Sequence, residues 1–117
     1  MRDHRNLKAF QLADALALEI YRVTASFPRE EQFGLVSQMR RAAVAIASNI
    51  VEGCARHTQA DLIRFLDIAY GSARELEYQA TLAERLNYAP DVDWQKLHSE
   101  CEEVSKVLSG LIRSLRK

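Results

Sequence analysis

Apolar residues recur at three- and four-residue steps along almost the whole chain, with polar residues between them. That spacing predicts helices with one buried face. Over residues 6–26, Leu12, Leu16, Ile20 and Val23 form one stripe, with Ala9, Phe10 and Ala13 beside it. Lys8, Gln11, Ala15, Glu19 and Arg22 fill the opposite side, and Pro28 closes the helix by disfavouring helical geometry in the residue before it. Over residues 34–54 the stripe is Leu35, Met39, Ala42, Ala43, Ile46, Ile50 and Cys54. Over residues 58–87 it is Leu62, Phe65, Leu66, Ala69, Ala73, Leu76, Ala80 and Ala83. Over residues 92–116, Trp94, Leu97, Cys101, Val104, Leu108, Leu111 and Leu115 alternate three and four apart, a heptad seam suited to nearly antiparallel neighbours.

The joints agree with these spans. Thr58 is an expected N-cap, with Asp61 three positions on near the positive end of the helix dipole. Asp91 or Asp93 caps the fourth helix, and Arg113, Arg116 and Lys117 suit its negative end. Gly53 either sits in the last turn of the second helix or supplies a left-handed terminus. Gly71 costs its helix about 1 kcal/mol relative to alanine; it either admits a close neighbour or is a tolerated imperfection. No strand, repeat or low-complexity segment is legible. The expected fold is all-α, one domain over residues 1–117, an antiparallel up-down-up-down four-helix bundle.

Composition narrows the function. Sixteen basic residues balance sixteen acidic ones, so no net field recruits nucleic acid or an anionic membrane. Residues 1–57 carry eight basic and six acidic groups and residues 58–117 carry eight and ten, so the asymmetry along the sequence is small. MRDHRNLKAF does not resemble a signal peptide, and no apolar run reaches the roughly 18 residues of a membrane span. A cytoplasmic protein is expected. Cys54 and Cys101 both sit on apolar stripes, as buried free thiols do, rather than in a disulfide or metal motif.

Two helices carry more apolar surface than a bundle needs. Val44, Ala47 and Val51 widen the arc of the second, whose remaining side holds Gln38, Arg41, Ala45, Ser48, Asn49 and Glu52. On the third, Ile68, Leu82 and Leu86 share a face with Ser72, Glu75 and Gln79. Mixed faces of this kind are either subunit contacts or the solvated flanks of a monomer. Arg41 and Glu52 are roughly 16 Å apart along one helix and cannot pair within it. The expected polar contact positions, between helices or between subunits, are therefore Gln38, Arg41, Asn49, Glu52, Glu75 and Gln79.

Catalytic patterns are missing from the sequence. No glutamate precedes a histidine by three positions, as di-iron bundles require. His98 and Glu102 share a helix face, but two ligands make no site, and His98 reads as a surface residue. None of His4, His57 and His98 follows an arginine by five or six positions, and no phosphate-cradling glycine loop is present. No cofactor or metal is expected, and the reading is non-enzymatic. Arg40, Arg56 and Arg64 are the candidate nucleic-acid contacts, a thin set for a phosphate backbone.

The run FPREEQFGLVSQMRRAAVAIASNIVEG, with RFLDIAYGSARELE following, resembles the four-helix bundle protein family, also labelled ribosomal RNA intervening-sequence proteins. That family is related to the accessory variability determinant of diversity-generating retroelements. The resemblance spans nearly the whole chain. It implies small cytosolic bacterial proteins that form up-down bundles assembled as five-fold rings, and for the accessory determinants, nucleic-acid-binding partners of a reverse transcriptase. The family usually carries V-S-I-P-S-N-I in the second helix, whereas Ala45 and Ala47 stand here for the serine and proline. A straighter second helix, or a kink sustained without proline, is expected. The turn after Glu52-Gly53 keeps Arg56 but has Gln59, Ala60 and Asp61 where the family is often basic. The leading expectation is a homo-oligomeric scaffold or adaptor, a pentamer by resemblance. The alternative is an RNA- or DNA-binding accessory to a nucleic-acid enzyme.

Overall fold

A computed structural model describes residues 2–117. Among them are four α-helices and no strand: α1 (Lys8–Thr24), α2 (Leu35–Cys54), α3 (Gln59–Arg85) and α4 (Trp94–Leu115). A 3-10 turn, His4–Asn6, precedes α1, and a second, Arg29–Glu31, precedes α2. α1 begins later than the periodicity suggests because Asp3 caps the first turn, accepting from the Arg5 N–H at 3.0 Å, and Leu7 then adopts an extended backbone. Thr58 caps α3 by accepting from the Asp61 N–H at 3.1 Å, and Asp93 caps α4 by accepting from Lys96 at 3.1 Å. α3 ends in a Schellman-type turn: Asn87 takes φ 62°, its N–H reaches the Glu84 carbonyl, and Tyr88 reaches back to Ala83.

α1 packs on α2, α2 on α3, α3 on α4 and α4 on α1, while α1 and α3, like α2 and α4, lie on diagonals. The four stripes meet in one core filled by Ile20, Met39, Ile46, Ile50, Leu66, Leu76, Leu97 and Leu108. The stripe of α4 departs from a strict heptad at its end. Ile112 is buried where Leu111 was expected, and Leu111 is only partly covered. A straight α-helix drifts by about 20° per heptad, so over two heptads the buried face rotates by about 40°, enough to favour Ile112 over Leu111. α2 runs unbroken through Ala45 and Ala47.

The glycines resolve differently. Gly53 is helical and buried against α3, where a Cβ would stand 3.0 Å from Phe65 Cβ and 3.3 Å from the Leu62 carbonyl oxygen. A Cβ on Gly71 would meet nothing within 4 Å. Opposite responses follow. Gly53→Val lowers unfolding free energy by about 1–3 kcal/mol through overpacking against backbone that cannot swing aside. Gly71→Ala raises it by about 0.4–1 kcal/mol. Urea titration of the two variants checks the pair, and a loss at position 71 equal to that at 53 contradicts the geometry.

At one end of the molecule, the α1–α2 and α3–α4 connections are locked together. Phe27 packs against Tyr88 and Trp94 with centroids 5.4 and 6.2 Å apart. Tyr88 donates its hydroxyl proton to Glu31 at 2.6 Å, and Glu31 also accepts from the Leu35 N–H at 3.0 Å. These two bonds hold the Glu31 carboxyl below the usual carboxylate range, the Tyr88 bond contributing most. A depressed folded pKa gives stability present above the unfolded value of about 4.3 and lost as pH falls through the folded one. The Tyr88→Phe variant therefore loses stability at neutral pH and shows a shallower decline on acidification below about pH 4 than the parent, as thermal unfolding across pH 2–7 would read. Parallel curves would show that the lock does not carry this part of the acid response.

Candidate functional site

The outward side of α2 and α3 contains a cleft of about 370 Å³ lined by Gln38, Arg41, Ala42, Ala45, Ser72 and Glu75. The small side chains of Ala42, Ala45 and Ser72 leave this space between the helices unfilled. Val44 and Ile68, on the same two helices, are 41% and 44% exposed. Among the described residues Arg41 has no carboxylate partner, although Glu75 lines the same cleft. The structure thus brings together Gln38, Arg41 and Glu75 of the six positions expected to make polar contacts.

The other three behave differently. Asn49 donates to the Ala45 carbonyl of its own helix at 2.8 Å, so its amide is already used locally. Glu52 needs no second helix or subunit, because Arg56, one turn on in the linker, reaches it at 3.0 Å. Gln79 is buried rather than presented on a mixed outer face; its amide lies 3.4 Å from Glu75, and its Oε1 has no partner among the described residues.

Arg40, Arg56 and Arg64 do not form one patch. Arg40 donates to Thr24 Oγ1 at 2.9 Å and to the Tyr21 carbonyl at 3.2 Å, with its guanidinium 4.5 Å from the Tyr21 ring centre. It secures the end of α1 to α2, and sixteen residues, about 24 Å of helix, separate it from Arg56. Arg56 and Arg64 do converge. They lie over the Phe65 ring at 4.8 and 4.6 Å, and Arg64 is also 3.8 Å from Asp61. Phe65, expected in the core stripe, is half-buried beneath them.

A larger cavity, about 480 Å³, lies between α3 and α4 and includes Tyr70, Arg74, Glu77, Ser105, Lys106 and Arg113. Periodicity alone did not reveal it. The available signal was the run of small residues Ser105, Ser109 and Gly110 on α4, which keeps that helix from filling the gap. Most of its charges are satisfied internally: Arg74 lies 3.4 Å from Glu77, Lys106 lies 3.3 Å from Glu102, and the Ser105 hydroxyl donates to Glu77.

Reactive groups are held away from solvent. Cys54 and Cys101 are free and buried. Burial pushes the Cys101 thiol up to about 12 and raises the Cys54 thiol as well, so neither is a ready nucleophile. His98 is half-buried rather than a surface residue. It pairs with Glu84 on α3 at 2.7 Å instead of Glu102, which the α3–α4 packing decides. Among the described residues no three His, Cys, Asp or Glu side chains converge as metal ligands. Among the same residues no helix is long and apolar enough to cross a membrane.

Comparison with curated proteins yields no match. Among solved structures, the chain is similar to a protein of unknown function from the S23 ribosomal protein family of Bacteroides thetaiotaomicron. The TM-score is 0.76 at 24% identity, covering 90% of this chain and 95% of that one, a likeness of fold. The family pattern of 23S rRNA-intervening sequence proteins matches residues 5–110. The four-helix architecture and this match over most of the sequence place the chain in the 23S rRNA-intervening sequence protein family.

Proposed function

We propose that the protein is a non-enzymatic, cytoplasmic helical adaptor. Its helices alternate up and down as an antiparallel bundle, and its copies assemble side by side in a closed ring, five in number as the family resemblance implies. The alternation is supported by contacts at both ends of α3: Gln59 near its start meets the Leu115 carbonyl at 2.9 Å, and Glu84 near its finish meets His98.

The observation that carries the assembly reading is the α2–α3 cleft. It holds an arginine lacking a carboxylate partner among the described residues above a floor of small side chains, and exposed Val44 and Ile68 lie on the same two helices. A ring of more than two copies needs a second, different face on each copy. Leu18 on α1, 70% exposed, together with exposed Tyr21, supplies one, and α1 lies diagonally across the bundle from α3. The occupant of the cleft is thus a second copy of this chain, presenting its α1.

Multi-angle light scattering on a sizing column tests the reading. A single mass that is a multiple of 13.3 kDa is expected at micromolar concentration. A strict monomer removes the assembly.

A further inference from the structure

The neutral total conceals a strong separation of charge along the bundle. One half is built from residues 2–15, 46–71 and 105–117, because the start of the chain, the α2–α3 turn and the end of α4 meet there. The Arg2 N–H donates to the Cys54 carbonyl at 2.8 Å, Gln59 reaches Leu115, and Arg116 reaches Asp67 at 2.6 Å. This half carries nine basic and five acidic side chains, and the other half seven and eleven. A balanced chain thus becomes a body about 43 Å long with a surplus of four positive charges in one half and four negative in the other.

We infer that the basic end is a docking surface for the phosphate backbone of a nucleic acid. Six of its nine cations are arginines, whose planar forks match phosphate oxygens. Asp3, Glu52, Asp61 and Asp67 each hold one arginine, and those arginines keep much of their surface exposed. Arg2, Lys8, Arg113 and Lys117 have no carboxylate partner among the described residues. The bundle cross-section, about 24 by 19 Å, spreads these groups over a distance that spans many backbone charges, which lie roughly 1.7 Å apart along a duplex. One chain offers few free cations. Useful affinity rests on the ring reading, because cyclic symmetry turns every basic end toward the same rim. Opposed carboxylates on the acidic half, among them Asp91, Asp93 and Glu103, keep the polyanion from the other rim.

Fluorescence anisotropy with an RNA hairpin and with a DNA duplex, run on full-length protein of known light-scattering mass, tests the inference. Binding is expected at about 50 mM salt, falling steeply with added salt as counterion release requires. The paired reversal Arg113→Glu with Lys117→Glu weakens it at least tenfold. The reversal Asp91→Lys with Glu103→Lys does not weaken it. Comparable affinity for both probes indicates readout of phosphate alone, and preference for one names the nucleic acid; each supports the docking surface. A ring that binds neither probe, or equal effects of the two reversals, overturns the inference and leaves the ring standing. A monomer with the same end-selectivity keeps the basic end and removes the ring, and a monomer that binds nothing removes both. Self-association without nucleic acid that disappears in the basic-end reversal reassigns the surface to the acidic end of another copy, and overturns the inference.

Discussion

Ile46→Ala will lower the unfolding free energy by about 2–5 kcal/mol. The residue is fully buried at the middle of α2, where the stripes of the four helices meet. Truncation removes the transfer energy of three carbons and leaves a cavity that the surrounding side chains fill only in part. Against a typical total of about 5–15 kcal/mol for a domain, this is a large share, and the urea midpoint will fall with an unchanged slope. Tyr78→Ala, at a position 61% exposed, will stay within about 0.5 kcal/mol of the parent. Both titrations belong at one protein concentration, since dissociation of an oligomer makes apparent stability depend on it. A loss below about 1 kcal/mol at Ile46 would mean that α2 is not the central core element described.

Ile68→Glu and Leu18→Glu will each reduce the light-scattering mass to that of one chain, with helical content retained. Both side chains are exposed in the protomer, at 44% and 70%, so a carboxylate there disturbs little within the fold. In a ring each copy uses both faces, so either substitution places an unpaired charge in every contact at once. Mixing the two variants gives a sharper result. The Leu18→Glu chain keeps an intact cleft and the Ile68→Glu chain an intact α1 face. One sound contact therefore forms, and the mixture runs as a dimer. A two-fold contact through the cleft alone predicts otherwise: Leu18→Glu would remain dimeric by itself, and the heterologous arrangement would be wrong.

Much of the architecture was legible in the order of residues because helix burial is a local matter. Stripes such as Leu12–Leu16–Ile20–Val23 state which face turns inward wherever the partner lies, and Thr58 and Asp93 mark starts through bonds to their own next turn. The α2–α3 cleft was partly legible for the same reason: Gln38, Arg41 and Glu75 stand off the apolar stripes of their helices, and the structure sets them around one cavity. Asn49 and Glu52 stood off the stripe too, but neighbours four residues away in the chain satisfy them. Spacing cannot distinguish a polar group that is free from one already bonded.

The sequence by itself determined four amphipathic helices, their boundaries within a few residues, a neutral total charge and the absence of familiar catalytic patterns. Only the tertiary structure decided which distant groups share a location. It tied Arg40 to the end of α1, gave His98 to Glu84, set Arg56 and Arg64 about one ring, and buried Gln79. It also sorted a nearly even sequence of charges into a basic end and an acidic end. The physical reason is that helix formation depends on neighbours three and four residues away. Coulomb interaction depends on separation in space, and that is fixed only when the four helices fold back beside one another.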